Sequence, residues 1–455
     1  MRAAAGTARR NCEPRRALRF ESTDVVVIGA GAAGLAAARA IDAAGLNTVV
    51  LEARERIGGR VLTFANPPLP VPVDVGGEFV HGANAVAFAL LRAAGSVAVD
   101  TSPGMLQYVD GALRESEDPF EVGARVLGRA RDLREDTSIE AFTAHLPDGE
   151  RAMTRMIVEG FDAADPARAS TLALAAEWGD ANGQTSRQFR PLGGYAPVMR
   201  ALAGAVDPER SALLLGTAAR AIRYDAGGVR VEAERSTGDV LEVRARAALV
   251  TVPVGVLQAG LPAFDPPLPT AKADALGALI MGPVVKLALH FRRAFWESLE
   301  GGRFRDVAFF QRRDARFPTF WTLLPLRAPI LIAWSGGPKA DLLRDAGAGA
   351  RTRAALDDLA VLFGPEARPH DELVGAYQHD WDADPFSRGA YSYVATGGCG
   401  AREALAAPVG GRLFFAGEAT ASAGESGTVG GALESGERAA REIVAALGVS
   451  APPRG

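Results

Sequence analysis

Three stretches of this chain hold residues whose types and spacing could do chemistry. In GPVVKLALHF, Gly282 to Phe291, a lysine interrupts an apolar run. The chain has 50 basic residues, yet only Lys272, Lys286 and Lys339 are lysines, so Lys286 is a primary amine where arginine is the habitual cation. A primary amine is compact, flexible and able to lose its proton, which suits it to hold a water or pass a proton where a planar guanidinium cannot. Near the start, VVVIGAGAAGLAAARAI places Gly29, Gly31 and Gly34 in a GxGxxG pattern. That spacing permits a tight turn, a close backbone approach to a pyrophosphate and a close helix-to-strand contact. Glu52 lies 18 residues past Gly34, where an acid accepts hydrogen bonds from a ribose 2′-OH. In RGAYSYV, Tyr391 and Tyr393 share one face of an expected strand and could present an aromatic surface to a ligand.

These residues need elements to position them. Asp24 to Glu52 reads as strand Val25–Ile28, helix Ala32–Ala43, a turn at Gly45 and strand Thr48–Leu51, a βαβ unit that carries the glycines at its first turn. The acid favours an adenosine with free ribose hydroxyls, hence FAD or NAD rather than NADP. A second glycine pair, Gly58 and Gly59, follows at once in ARERIGGRVLT among Arg54, Arg56 and Arg60, and suits a cofactor that extends past its pyrophosphate. The C-terminal RLFFAGEATASAGESGTVGGALESGERAAREIVAAL supplies a strand from Leu413, a glycine-rich loop and a helix from about Gly430, whose N-terminus suits an oxygen-rich ligand. Elements from both ends of the chain would thus hold one long ligand.

EARERIGGRV, GEAT…GTVGGALESG and WDADPFSRGAYSYV together resemble the flavin-containing amine oxidases, which include monoamine oxidases, polyamine oxidases and lysine-specific histone demethylases. The resemblance runs from about Asp24 to Leu447 and is nearest the polyamine-oxidase and demethylase branch. It implies FAD held through Gly29, Gly31 and Gly34, with the ribose on Glu52 and with Arg54, Gly59 and Arg60 beside the phosphates and flavin. It also implies Glu78 and Phe79 lining the flavin, Ala219 meeting the adenine side through its backbone, and Trp381 near the ring system. Glu418, Thr428 and Val429 would close on the ribityl chain and ring. Lys286 would hold a water at flavin N5, and Tyr391 would form half of an aromatic cage and orient the amine.

Two departures from the family pattern shape the expectation. The residue before the cage tyrosine, a flavin-linked cysteine in monoamine oxidases, is Ala390 here, which implies non-covalent FAD. The second cage position is Thr428, as in the demethylase branch, which leaves more room beside the flavin. The chain lacks the demethylases' extra helical domain and coiled-coil insertion, so a histone substrate is not expected. The expected activity is FAD-dependent oxidation of the C–N bond of a polyamine or related amine to an imine, hydrolysed to an aldehyde, with molecular oxygen reduced to hydrogen peroxide. Alternatives are an L-amino-acid oxidase or another FAD oxidoreductase of this fold, and a non-catalytic FAD-stabilised binding protein.

Each of these residues also has a plainer explanation. On a strand, Val284, Lys286, Ala288 and His290 share a face, and a solvated polar face would account for both polar residues. Tyr391 with Tyr393, and Trp381, suit a core as well as a ligand wall. His81 could be a hydrogen-bonded loop histidine or a contact for a second amine group of a substrate. Glu177, Trp178 and Asp180 in EWGDANG could line a cavity or end a helix at the surface.

At 455 residues, 48% hydrophobic and with a net charge of -4, the chain has the balance of a globular protein with two or three domains and no nucleic-acid footprint. Cys12 and Cys399 alone support neither a disulfide framework nor a metal site, which fits a reducing cytoplasm, and no membrane segment is expected. The oligomeric state, monomer or homodimer, stays open. The fold class expected is α/β: a Rossmann-like FAD-binding domain interleaved with a mixed-sheet plus helical substrate domain. Residues 1–20 read as a mobile tail and 448–455 as another. Residues 21–82, 191–258 and 377–447 read as the FAD-binding domain, and 83–190 and 259–376 as the substrate domain.

Overall fold

The structure is a computed structural model that describes residues 18–65, 68–101, 104–179 and 187–449. Its first strand, Leu18–Ile28, starts inside the stretch read as a tail and pairs in parallel with Val240–Val250 from Leu18 onward. The rest of that stretch, residues 1–17, lies outside the described residues, as do Asp180 and residues 450–455.

Val25, Val26 and Val27 are wholly buried, because parallel strands covered on both faces need continuous apolar runs. Around them an eight-stranded sheet forms. Ala212–Leu214, Thr48–Leu51, Leu18–Ile28, Val240–Val250 and Leu413–Phe415 run parallel. Thr217–Asp225 and Gly228–Arg235 then extend it as an antiparallel meander. Ala263–Asp265 joins the same sheet beside Thr217–Asp225, a few residues past the expected boundary at 258.

Helix Ala32–Ala43 packs on this sheet and against the C-terminal helix Val429–Ala446. Their contact is close because Gly436 has no side chain: a Cβ there would lie 2.2 Å from the Ala33 carbonyl oxygen. Leu35, Ile41, Leu433 and Ile443 fill the core between them.

The second layer is a seven-stranded sheet in the order Leu373–Tyr377, Val284–Phe291, Ile330–Gly336, Thr319–Trp321, Phe309–Gln311, Met105–Val109 and Ala112–Arg114. One face of Val284–Phe291 sends Val285, Leu287, Leu289 and Phe291 into a core shared with Ala355, Leu359 and Leu362 of helix Ala348–Phe363. The opposite face, which holds Lys286, looks toward the nucleotide layer. Helices Ala85–Ala93, Pro119–Gly128, Asp148–Gly160 and Thr171–Gly179 lie in the segment between residues 83 and 190. No helix among the described residues is long and apolar enough to cross a membrane.

Candidate active site

A cavity of about 1010 Å³ lies between the two layers. Its nucleotide end is bare peptide. Helix Ala32–Ala43 has Gly31 as its N-cap, with no side chain satisfying its first N–H groups. Gly31, Ala32 and Ala33 stand on the wall. Gly29 adopts φ 106°, and a Cβ on Gly34 would lie 1.9 Å from the Gly29 carbonyl oxygen, so the turn and the helix close tightly on each other. Gly59 approaches so near that its Cβ would fall 3.2 Å from Gly31 Cα, which brings the two glycine loops together. Glu52 is buried at the end of its strand and accepts from the backbone N–H groups of Ala30 at 2.8 Å and Arg54 at 2.9 Å. Ala219 lines the cavity at a register shift in its strand.

Further along, charged residues are paired across long sequence distances. The Arg54 guanidinium donates to both Asp384 carboxylate oxygens at 2.8 Å and to Ser387 Oγ at 2.8 Å. Asp384 also meets His379 Nε2 at 2.7 Å, and despite its partial burial these partners hold its carboxyl well below the usual range. Arg60 donates to the Ala390 carbonyl at 2.7 Å and to Glu418 Oε1 at 2.9 Å, while Glu418 Oε2 accepts from Ser392. Trp381, buried on the wall, donates to the Val75 carbonyl at 3.1 Å. Thr428 caps the C-terminal helix by accepting from Gly431 N at 2.9 Å, and with Val429 it lines the same space.

At the far end Lys286 is 3% exposed. The solvated-face explanation for Lys286 and His290 therefore fails: helix Ala348–Phe363 covers one face of the strand, and on the other Ala288, which lies between them, packs with Leu69, Val73 and Trp321. Lys286 Nζ donates to Glu78 Oε2 at 2.6 Å and to the Gly76 carbonyl at 3.0 Å. The other Glu78 oxygen accepts from Arg190 Nε at 2.7 Å and Trp321 Nε1 at 3.1 Å. Burial pushes the Glu78 carboxyl up, but Lys286 and Arg190 outweigh it and hold the group below its ordinary value. Phe79 lines the cavity beside Trp321, with ring centroids 5.6 Å apart.

Tyr391 stands on the wall, and its hydroxyl donates to the Phe161 carbonyl at 2.6 Å. His81 also lines the cavity, with its ring 5.1 Å from that of Phe161. Its Nδ1 is shielded and unpartnered, and burial lowers its pKa to about 4, so it is not the hydrogen-bonded loop histidine of the plainer explanation. Trp178 is neither cavity wall nor surface. It is 4% exposed and packs behind the wall between Phe120 and Phe161. Its neighbour Glu177 reaches the cavity instead.

Arg190, Asp384 and Asp162, ionisable residues tied to the cavity wall, were not named from the sequence, although Asp384 lies within the run WDADPFSRGAYSYV. Arg190 is 112 residues from its partner Glu78, and Asp384 is 330 from Arg54.

Residues 32–444 match the sequence model of the family described as flavin containing amine oxidoreductase. The chain belongs to that family. It is 30% identical to polyamine oxidase 2 of Arabidopsis thaliana over 93% of its own length and 89% of the relative's. It is equally identical to lysine-specific histone demethylase 1 homolog 1 of the same plant, over 93% of this chain but 52% of the relative, so it spans about half the length of that demethylase. Among solved structures, cyclohexylamine oxidase from Brevibacterium oxydans IH-35A superposes with a TM-score of 0.80 at 24% identity, covering 93% of this chain and 99% of the other. Putrescine oxidase bound to putrescine superposes with a TM-score of 0.78 at 24% identity, covering 94% and 100%. Both likenesses bear out the expected α/β fold.

As a member of this family the chain takes a flavin, and its cavity fits FAD. An uncapped helix N-terminus, two glycine loops in contact and a buried acid at the strand end provide the surface a nucleotide diphosphate requires.

Proposed function

We propose that this flavin-containing amine oxidoreductase oxidises the C–N bond of a primary or secondary amine of the polyamine class. R–CH2–NH–R′, O2 and H2O would give R–CHO, R′–NH2 and H2O2, by way of a free imine that water hydrolyses. The observation that carries this is Lys286, a buried amine on the wall of the same cavity that the glycine loops open into. FAD supplies the two-electron acceptor.

The chain's residues supply placement and proton control. Gly29, Gly31, Gly34 and Gly59 would admit the diphosphate, Glu52 the ribose and Ala219 the adenine side. Arg54, Arg60, Glu418, Trp381, Thr428 and Val429 would enclose the remainder, and Glu78 and Phe79 would flank the ring. An ammonium has three donors, and Lys286 uses two of them on Glu78 and Gly76. The third is left to hold a water at the reacting edge. The Tyr391 hydroxyl donates its one hydrogen bond to the Phe161 carbonyl, so its oxygen remains an acceptor that can orient an amine N–H. The aromatic wall of Phe79, Phe161 and Trp321 excludes bulk water. Ala390 has no nucleophile, which supports FAD held without a covalent link.

An amino-acid oxidase would need a free arginine in the chamber to grip the carboxylate. Arg54, Arg60, Arg402, Arg220 and Arg303 on the wall are committed to Asp384, Glu418, Ser392, Glu234 and Glu300, and Arg114, the remaining wall arginine, is solvent-exposed rather than enclosed, which favours the amine. The test is anaerobic mixing of the purified holoenzyme with spermine, spermidine, their acetyl forms, putrescine, aromatic amines and amino acids. Bleaching of the flavin by one or more amines is expected. Bleaching by amino acids alone, or by nothing in the panel, would overturn the proposal.

A further inference from the structure

We propose that Asp162 anchors a second, non-reacting ammonium group of the substrate, so that the chamber selects a diamine or longer polyamine over a monoamine. The proposal rests on the amine-oxidation reading and adds a residue and a selectivity to it.

Asp162 follows the helix Asp148–Gly160 in a segment pressed against the lysine-bearing sheet. A Cβ on Gly282 would lie 2.5 Å from the Ala163 carbonyl oxygen, and one on Gly336 would lie 2.5 Å from that of Glu159. Ala163 itself turns at φ 50°, a left-handed conformation that an L-residue keeps only where the surroundings fix it. Tyr391 binds the carbonyl of Phe161, the residue next to Asp162. The Asp162 backbone is thus clamped beside the tyrosine expected to orient the reacting amine.

Asp162 lines the cavity, and half of its carboxyl's capacity is unused. Oδ1 accepts a long hydrogen bond of 3.4 Å from Trp178 Nε1, whereas Oδ2 is shielded from solvent and has no partner among the described residues. Four other acids of the wall differ in this respect. Glu78 has Lys286 and Arg190, Glu418 has Arg60 and Ser392, Glu52 has two backbone N–H groups, and Glu177 has Gly424 N and Ser426 Oγ. The nearest cation, Arg402, spends its terminal nitrogens on Ser392 and sets Nε 3.4 Å from Glu177. A buried carboxylate oxygen with no donor is costly, and its retention calls for a partner that the folded chain does not itself supply.

The chemistry of that partner follows from the surroundings. Burial, reinforced by the charge of Glu177, drives the Asp162 carboxyl well above its usual range, and the Trp178 hydrogen bond and the charge of Arg402 do not offset it. His81, whose ring packs edge-on against Phe161 at 5.1 Å, carries a second unpartnered atom, Nδ1, on a ring that burial keeps neutral. A carboxyl and a neutral imidazole beside an aromatic ring suit an ammonium with its three donors and its affinity for π faces. The nitrogen at Asp162 is not the one oxidised, because a carboxylate stabilises the protonated form and the reacting amine must be neutral.

The test compares 1,5-diaminopentane with hexylamine, which have chains of the same length and differ by ammonium against methyl at the far end. Binding is read from anaerobic thermal shifts of the holoenzyme over an amine titration, and reaction from flavin bleaching. The wild-type protein should bind the diamine at least tenfold more tightly. Asp162→Asn, which keeps the acceptor for Trp178, should remove at least tenfold of that ratio, and Asp162→Glu should retain a diamine preference. An unchanged ratio in Asp162→Asn, or tighter binding of hexylamine by the wild type, would overturn the proposal. Loss of the preference in both variants would also count against it, since that marks general disruption of the wall. If neither amine bleached the flavin while the diamine preference held and vanished in Asp162→Asn, the anchor would stand and the amine-oxidation reading would fail.

Discussion

At the scale of single residues, the unusual feature is how Lys286 is held. Its charge is matched by Glu78 at 2.6 Å, and the same carboxylate balances Arg190 at 2.7 Å, all three within the protein interior. Removing one member of such a cluster strands the others, which costs about 3–5 kcal/mol. Glu78→Gln should therefore lower stability by roughly 3 kcal/mol at pH 7, measured by denaturant unfolding. The pH dependence has a definite sign. The folded-state pKa of Glu78 lies below the ordinary value of 4.5, so its contribution is fully present above that value and is lost as the pH falls through the folded value. The gap between wild type and variant should narrow at acid pH, and a gap that stayed constant or widened there would contradict the pairing.

The same geometry bears on catalysis. Lys286→Met keeps length and packing but removes the donor to the cavity, and should slow flavin reduction or reoxidation roughly 10²-fold in stopped-flow experiments. Wild-type rates in both half-reactions would remove Lys286 from the mechanism.

At the scale of elements, close backbone approach makes different demands on different glycines. A Cβ on Gly436 would meet the Ala33 carbonyl oxygen at 2.2 Å, a backbone atom of the very helix whose N-terminus opens into the nucleotide end. Gly149, in the first turn of helix Asp148–Gly160, has nothing within 4 Å. Gly436→Ala should therefore cost about 1–3 kcal/mol and reduce the flavin content of the purified protein. Gly149→Ala should be neutral or stabilise by up to about 1 kcal/mol. Equal thermal shifts for the two variants would refute this distinction.

The sequence was most legible where short-range rules govern. The helix Ala32–Ala43 and the strand Thr48–Leu51 match their expected limits, because a glycine turn, apolar periodicity and a second glycine at position 45 lie within one local unit. Val284–Phe291 was legible as a strand but not as a fully buried one. The helix that covers its second face starts at Ala348, and periodicity carries no information on such distant partners. Glu78 was named from its local motif, while its link to Lys286 spans 208 residues and its link to Arg190 spans 112. Trp178 looked available at the end of its helix, yet Phe120 and Phe161 from two other helical segments enclose it.

At the scale of the whole molecule, the nucleotide end draws on both chain ends, since the first βαβ unit and the helix Val429–Ala446 meet across one core. A ligand that touches both should act as a long-range brace. A ligand bound only by the folded state adds RT ln(1 + [L]/Kd), about 2.7 kcal/mol at one hundred times Kd. Stripping the flavin should then lower Tm, and FAD added back should restore it in a concentration-dependent way. This requires the flavin to leave without bond cleavage. Tyr391 is preceded by Ala390, whose carbonyl is bound by Arg60, and the exposed Cys399 lies against Ser170 and Asp136, off the described cavity wall. Acid precipitation should thus carry the full flavin absorbance into the supernatant. Absorbance that stayed with the pellet would mean a covalent attachment to another wall residue and would rule out the reversible bracing argued here.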